Sequence, residues 1–173
     1  DRFRAAAATI RDGESVMFDT GTTTSFLARE LLSHRRLTVV TNSSDIARTL
    51  ATVNGNRVYM AGGELRSDSG AAFGKSALDF IAQFAVHHAV ISVGAVDEAG
   101  VMDYALEEAE FARLVLSRGE RRVVVTDHSK FGRRGLIAVA GFDEVDEIVT
   151  DRAPDAVLAD RLAAAGARLT LAA

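Results

Sequence analysis

Val16-Met17-Phe18-Asp19-Thr20-Gly21-Thr22-Thr23-Thr24 is an apolar run that closes on an acid and opens into a Gly-Thr-rich turn. Val16 to Phe18 reads as a buried strand that carries the chain to the edge of a sheet. Gly21 lets the backbone turn back there, and Thr22, Thr23 and Thr24 bring hydroxyls and backbone N–H groups to the start of a helix. Such a turn suits a phosphate. Asp19 has the opposite preference, since a carboxylate repels phosphate but accepts hydrogen bonds from the hydroxyls of an attached sugar. Together these residues point to a phosphorylated polyol. The same segment also reads as a capped helix N-terminus with no ligand at all.

The neighbouring pattern extends this strand into a sheet. Apolar runs of strand length recur at Ser15–Asp19, Leu37–Thr41, Arg57–Met60, Ala89–Val93, Arg122–Thr126, Glu147–Thr150 and Arg168–Leu171. Between them, Thr23–Ser33, Ser44–Thr52 and Glu107–Arg118 carry apolar residues at helical spacing, for example Phe26, Leu27 and Leu31. Strands alternating with helices predict an α/β fold. The runs are continuous rather than alternating, which is what parallel strands covered on both faces require, so the sheet is expected to be mostly parallel and flanked by helices. Asp1–Ile10 reads as helical, Gly62–Gly74 as a loop over the end of the sheet, and Ala156–Ala165, behind Pro154 and stopped by Gly166, as a last helix.

The bulk properties narrow the function. A chain of 173 residues supports one well-buried core, so one domain over 1–173 is expected. Lys and Arg number 20 against 24 Asp and Glu, a formal net charge of -4, with no long basic run; these residues are poorly suited to gripping DNA themselves. Cysteine is absent, which removes disulfides, thiolate metal sites and a Cys nucleophile and fits a reducing compartment. The longest apolar stretches, such as Ala89 to Val96, are too short to span a bilayer, and residues 1–10 lack the apolar core of a signal peptide. A cytoplasmic location is expected. The start at Asp1, without Met, reads as a cut from a longer protein.

In open α/β sheets ligands bind beyond the carboxyl ends of the strands. The candidates are therefore Asp19, Gly21, Thr22 and Thr23 after the first strand, Thr41 and Asn42 after the second, and Gly62 and Gly63 after the third. Gly94 and Asp97 follow the fourth, and Asp127, Ser129 and Lys130 the fifth. Each has a plain alternative: Asn42 as a cap, Gly62-Gly63 as a turn, Asp127 as a turn residue beside a solvated Lys130. Glu108 reaches the sheet end from the first turn of a helix, or simply favours the helix dipole there. A catalytic reading would use Glu108 and Asp97 to shuttle a proton beside a carbonyl and Lys130 to steady an enediolate. His87 and His88 precede a strand and fall at the opposite end. No metal-ligand spacing, nucleophile elbow or Walker lysine is present, and no cofactor or metal is expected. GRRG at Gly132–Gly135 reads as an exposed loop.

Taken in order, FDTGTTT, LTVVTNSSDIARTL, VYMAGGELR, Gly74, VGAVDEAGVMD, EEAEFAR, VVVTDHSKFG and VDEIVTD resemble the effector domain of DeoR-type transcriptional regulators, over about residues 10–151. The resemblance implies a Rossmann-like fold similar to ribose-5-phosphate isomerase and the CoA-transferase-type proteins. It implies a bacterial regulator, usually a repressor, of carbohydrate genes, whose effector is a phosphorylated sugar. DNA binding would reside in an N-terminal helix-turn-helix that is not in this sequence, and a homo-oligomer is expected. By resemblance the Asp19–Thr23 loop and Thr41-Asn42 line the effector pocket, Asp127 and Lys130 contribute to it, and Asp97 and Glu108 match acidic active-site positions of the related isomerases. The Gly-rich, Lys-containing stretch that precedes the catalytic Glu in those isomerases is lacking, which argues for a sensor and against an aldose-ketose isomerase. Two departures stand out: Thr20 where the regulators often carry Ser, and Ala112-Arg113 where they commonly carry a Lys-Arg pair.

Overall fold

The computed structural model describes residues 2–172, so the part of the predicted first helix that falls on Asp1 lies outside the described residues. Ten strands and six α-helices follow one another as α1 (Arg2–Ala7), β1 (Ser15–Phe18), α2 (Thr22–Glu30), β2 (Thr38–Thr41), α3 (Ser44–Leu50), β3 (Arg57–Met60), α4 (Lys75–Ile81), β4 (Val86–Ile91), β5 (Ala95–Asp97), β6 (Gly100–Asp103), α5 (Leu106–Arg118), β7 (Gly119–Val125), β8 (Ile137–Ala140), β9 (Glu147–Thr150), α6 (Ala156–Ala164) and β10 (Arg168–Leu171). Short 3-10 turns occupy Leu31–Ser33, His128–Lys130 and Phe142–Glu144.

Seven strands form one sheet in the order β10-β9-β7-β4-β1-β2-β3, and every pairing in it is parallel. All seven apolar runs named above are these strands, with ends displaced by up to three residues. Side chains alternate across the sheet with period two, which sorts them into two cores. Met17, Val40, Ala89, Ile91, Val124 and Ile148 face a layer containing α4, α5 and α6. Val16, Phe18, Val39, Val90, Val123 and Val149 face the layer of α1, α2 and α3. Both faces are therefore covered, and the strands read as unbroken apolar runs.

Two features depart from the expectation. Ala95–Asp97, Gly100–Asp103 and Ile137–Ala140 make a separate three-stranded antiparallel sheet, ordered β5-β6-β8. The helix α4 occupies Lys75–Ile81, directly after the expected loop, where no element was expected. The Gly62–Gly74 loop itself is pinned down: Ser44 N donates to Gly70 O at 3.0 Å, Ala72 N to Asn42 O at 3.2 Å and Asn42 Nδ2 to Ala72 O at 2.8 Å.

The topology fixes where a ligand has room. From β1 the chain moves out to β2 and β3, then returns and adds β4, β7, β9 and β10 on the other side. The strand order thus reverses between β1 and β4. The segments leaving the carboxyl ends of those two strands diverge, and a crevice opens between them.

Candidate functional site

That crevice is a cavity of about 540 Å³, within the usual range for small-molecule sites. Its lining is drawn from four places. The β1–α2 turn and α2 supply Asp19, Thr20, Gly21, Thr22, Ser25, Phe26 and Arg29; the residues after β4 supply Ser92, Val93 and Gly94. Asp103, Glu108 and Phe111 come from β6 and α5, and Ser43, Asp45, Asp68, Ser69 and Phe73 close the remaining side.

The floor is built where β1 meets β4. Asp19 is buried at the end of β1, and both its carboxylate oxygens accept from Ser92: the backbone N donates at 3.1 and 3.2 Å, and Oγ at 3.3 and 3.5 Å. Burial pushes the Asp19 carboxyl well above the usual carboxylate range; bonds from Ser92 oppose that rise and the nearby Asp103 charge adds to it. Gly21 makes this contact possible. A Cβ there would lie 2.5 Å from Ser92 Oγ, so any larger residue would drive the serine off Asp19.

The helix α2 lies along one wall. Thr22, Ser25, Phe26 and Arg29 follow the i, i+3, i+4, i+7 spacing of one helix face, and all four line the cavity. Gly21 at its N-cap provides no side-chain bond, so the first-turn N–H groups are left without a side-chain cap beside the cavity. Thr24 turns inward instead, its Oγ1 donating to Gly21 O at 3.2 Å. The Arg29 guanidinium stands 5.3 Å over the Phe26 ring, and Phe26 in turn packs on Phe3 of α1 at a centroid distance of 5.5 Å.

The opposite wall is acidic. Asp103 Oδ1 accepts from Tyr104 N at 2.9 Å. Burial raises the Asp103 carboxyl, against the pull of the Tyr104 N–H and the Lys130 charge. Glu108 is raised as well, by burial first and by the Asp103 charge second. Arg66 of the pinned loop partly balances it, with Nη1 3.9 Å from Glu108 Oε1 and 3.6 Å from Glu107 Oε2. The cavity thus sets a helix N-terminus and a guanidinium against a group of carboxylates.

Of the residues singled out in the sequence, Asp19, Gly21, Thr22, Gly94 and Glu108 line the cavity. Thr23 sits beside Thr22 in the first turn of α2 but outside the lining. Thr41 and Asn42 are fully buried just behind it: Thr41 Oγ1 accepts from Ser43 N at 3.1 Å, and Asn42 ties the 62–74 loop to β2. Gly62 and Gly63 are exposed on that loop, away from the lining. Asp97 lies in the β5–β6 hairpin, where its Oδ1 accepts from Ala99 N at 2.8 Å. Asp127 caps the 3-10 turn after β7, accepting from Ser129 N at 2.8 Å; Lys130 ends that turn within electrostatic reach of Asp103. Ser92, Asp103, Asp68, Ser43 and Arg29 are cavity residues that sequence reasoning passed over. Ala112, at the regulators' basic position, is buried in the core under α5, while Arg113 donates to Ala138 O of β8.

No group of three or more His, Cys, Asp or Glu suited to holding a metal occurs among the described residues. Nor is any helix among them long and apolar enough to cross a membrane.

Comparison with known proteins agrees with the architecture. The chain aligns with ribose 5 phosphate isomerase A from Neisseria gonorrhoeae at a TM-score of 0.54 and 18% identity, covering 77% of this chain and 53% of that one. It aligns with eIF2B beta from Chaetomium thermophilum at a TM-score of 0.61 and 17% identity, over 95% of this chain and 52% of that one. At such identities the likeness is one of fold. In sequence, the chain is 34% identical over 152 residues to the glycerol-3-phosphate regulon repressor of Escherichia coli (strain K12), which covers 87% of this chain and only 60% of that repressor. The model of the DeoR C terminal sensor domain matches residues 4–152. The chain therefore belongs to the DeoR C-terminal sensor-domain family.

Proposed function

We propose that this chain is the effector-sensing part of a DNA-binding repressor of carbohydrate genes, and that its cavity takes a phosphorylated sugar or polyol without turning it over. The observation that carries the reading is the α2 face. Its first-turn N–H groups open onto the cavity with no side-chain cap, and Thr22, Ser25 and Arg29 line up behind them. Those N–H groups and the helix dipole hold the phosphate, with Arg29 as the neighbouring cation. Asp19, Asp103 and Glu108 accept from the hydroxyls of the remainder. The helix-turn-helix that contacts DNA lies outside these 173 residues, and the repressor works as a homo-oligomer in the cytoplasm.

Effector binding shifts such a repressor only if the DNA-competent and DNA-released arrangements differ in affinity for it. The α1–α2 contact supports a route for that difference. Phe26 lines the cavity and packs against Phe3, and Ala6, Ala7 and Ile10 share one core with Leu27 and Leu31 of α2 and its following turn. A ligand that repositions α2 therefore repositions α1.

A thermal-shift screen of this chain against phosphorylated sugars, each beside its unphosphorylated parent, tests the reading. At a hundred times its dissociation constant a ligand adds about 2.7 kcal/mol, or roughly 5–10 °C for a chain of this size. A hit that requires the phosphate, with no conversion of the compound at high protein concentration, is the expected result. Silence across the panel with folded protein, or turnover of a sugar phosphate, overturns it.

A further inference from the structure

The carboxylates around the cavity differ in what already occupies their lone pairs. Asp19 is engaged on both oxygens by Ser92. Asp103 commits Oδ1 to Tyr104 N, while Oδ2 has no protein donor within hydrogen-bonding distance among the described residues. Glu108 has only Arg66, at 3.9 Å, beyond hydrogen-bonding distance. Gly94 keeps Asp103 in place from behind: a Cβ there would come within 2.9 Å of Asp103 Oδ1 and of the Tyr104 ring. Asn42, wholly buried next to the cavity-lining Ser43, leaves Oδ1 without a partner among the described residues. Ser69 Oγ on this wall is likewise without a partner among the described residues, but the wall facing α2 carries the carboxylates of Asp45, Asp68, Asp103 and Glu108, and Arg29 is the one cation among the residues that line the cavity.

A ligand group that settles on this wall has to bring its own donors. Hydroxyls do so and satisfy the free lone pairs. A carboxylate brings only acceptors and meets like charge at close range.

We propose that Asp103 and Glu108 are specificity-determining residues that accept hydrogen bonds from the hydroxyls of a phosphate ester and exclude phosphorylated sugar acids. The proposal rests on the phosphate reading of the α2 N-terminus, and it adds which phosphate esters enter. It commits Asp103, at the end of a strand of the antiparallel sheet, to ligand recognition. Discrimination of this kind arises as much from the repulsion built against the wrong ligand as from the bonds made to the right one.

The test uses matched pairs that differ only in oxidation of the far terminus: glycerol 3-phosphate and 3-phosphoglycerate, ribose 5-phosphate and 5-phosphoribonate, glucose 6-phosphate and 6-phosphogluconate. Calorimetric titration of each into the wild-type chain should show the hydroxyl member of any binding pair at least about tenfold tighter, which is about 1.4 kcal/mol. In Asp103→Asn and Glu108→Gln, singly and combined, the acid member should gain and the gap should narrow to under about threefold. Equal or tighter binding of the acid member by the wild type overturns the proposal and leaves the phosphate reading standing. So does a gap that persists undiminished in single variants whose melting temperature matches the wild type. Failure of every phosphate ester to bind overturns both.

Discussion

Glu14, His88, Arg121 and Glu147 at the amino end of the parallel sheet and Asp103 and Glu108 beyond its carboxyl end are charged side chains in opposite circumstances. At the amino end these four are joined to one another and to their neighbours. Arg121 bridges Thr9 Oγ1 at 2.9 Å, His88 Nδ1 at 3.3 Å and Glu147, which also accepts from Thr170. An arginine can only donate, so His88 Nδ1 is the acceptor and Nε2 carries the hydrogen to Glu14 Oε1 at 2.9 Å. Arg122 clamps Asp146 with both its backbone N and its guanidinium. A second concavity, of about 400 Å³, lies at this end, and two of its polar side chains are engaged: His87 bonds Ser15, and Arg118 donates to Phe84 O.

At the carboxyl end the half over β7 and β9 is knitted in the same way, by Asp127 with Ser129 and His128 with Asp151. In the half over β1 and β4, Asp103 and Glu108 line the cavity with carboxylate oxygens that no protein donor reaches among the described residues. Groups that the fold has already paired act as structure; groups held in place with lone pairs unspent wait for something from outside. That difference, rather than the presence of charge, supports the proposed site.

The largest expected effect comes from breaking the paired end. Replacing Glu147 by Ala leaves Arg121 without its carboxylate in a largely buried setting and should cost about 2–4 kcal/mol, less than a fully buried pair because Arg121 keeps some solvent contact. Urea denaturation measures it. The equivalent removal at the open end, Asp103→Asn or Glu108→Gln, should leave stability within about 0.5 kcal/mol. Comparable losses at both ends would erase the distinction.

Gly21→Ala sharpens it next. The added methyl collides with Ser92 Oγ, so a loss of about 1–2 kcal/mol is expected. A phosphate ester that binds the wild type should weaken by at least about tenfold, because Asp19 and the first turn of α2 shift together.

Asp19→Asn should separate stability from function by pH. The folded chain binds the Asp19 proton more tightly than the unfolded chain, since burial raises the carboxyl. Its contribution is therefore greatest below the unfolded value and is lost as pH rises from there toward the raised folded one. The variant should accordingly gain melting temperature relative to wild type at neutral pH, lose that gain in acid, and bind the ester more weakly throughout. A variant less stable than wild type at pH 7 would refute a carboxyl raised by burial at this position.

The smallest effect belongs to Asp151. Burial raises its carboxyl, but bonds from the His128 side chain and backbone hold it down to about 2. The stability it contributes is present above the ordinary carboxylate value and lost as pH falls from there toward 2. Asp151→Asn should cost about 1 kcal/mol or less at pH 7, as partly exposed pairs do, and only a small part of that at about pH 2. Melting curves at the two pH values decide this.

The parallel sheet was legible because each of its strands is an apolar run ended by a turn residue, and burial on both faces writes itself into sequence without interruption. The antiparallel strands were not, since Ala95–Asp97 and Gly100–Asp103 are short and enclose Glu98 and Ala99 in a hairpin with no periodic stretch long enough to register. Site reading followed the same line. Asp19 and Gly21 stand at a strand end that the sequence marks clearly. Ser92 went unnoticed because the apolar run Ala89–Val93 appears to continue through it, although β4 stops at Ile91 and Ser92 is the first residue past it. A strand read to Val93 puts Gly94 and Asp97 first past its end, and Asp103 lies in a strand with no periodic signal. Thr41 and Asn42 are visible as polar residues at the end of a strand, but nothing in the sequence tells that Thr41 Oγ1 accepts from Ser43 N and that Asn42 Nδ2 ties Ala72 to β2 while its Oδ1 stays unpartnered among the described residues. Sequence marks the end of a strand more readily than it marks which polar group there is already spent.

Backbone amide chemical shifts followed by NMR during titration with glycerol 3-phosphate, and separately with inorganic phosphate, test most directly that the open half of the carboxyl end is where this chain meets its ligand. The account predicts saturable shifts at Gly21, Thr22, Thr23 and Ser92 that extend to Asp103 and Glu108 for the ester only, with His88, Arg121 and Glu147 unmoved. Shifts centred on Ser15, His87 and Arg118 instead, or none at the α2 N-terminus at saturating ligand, would contradict it.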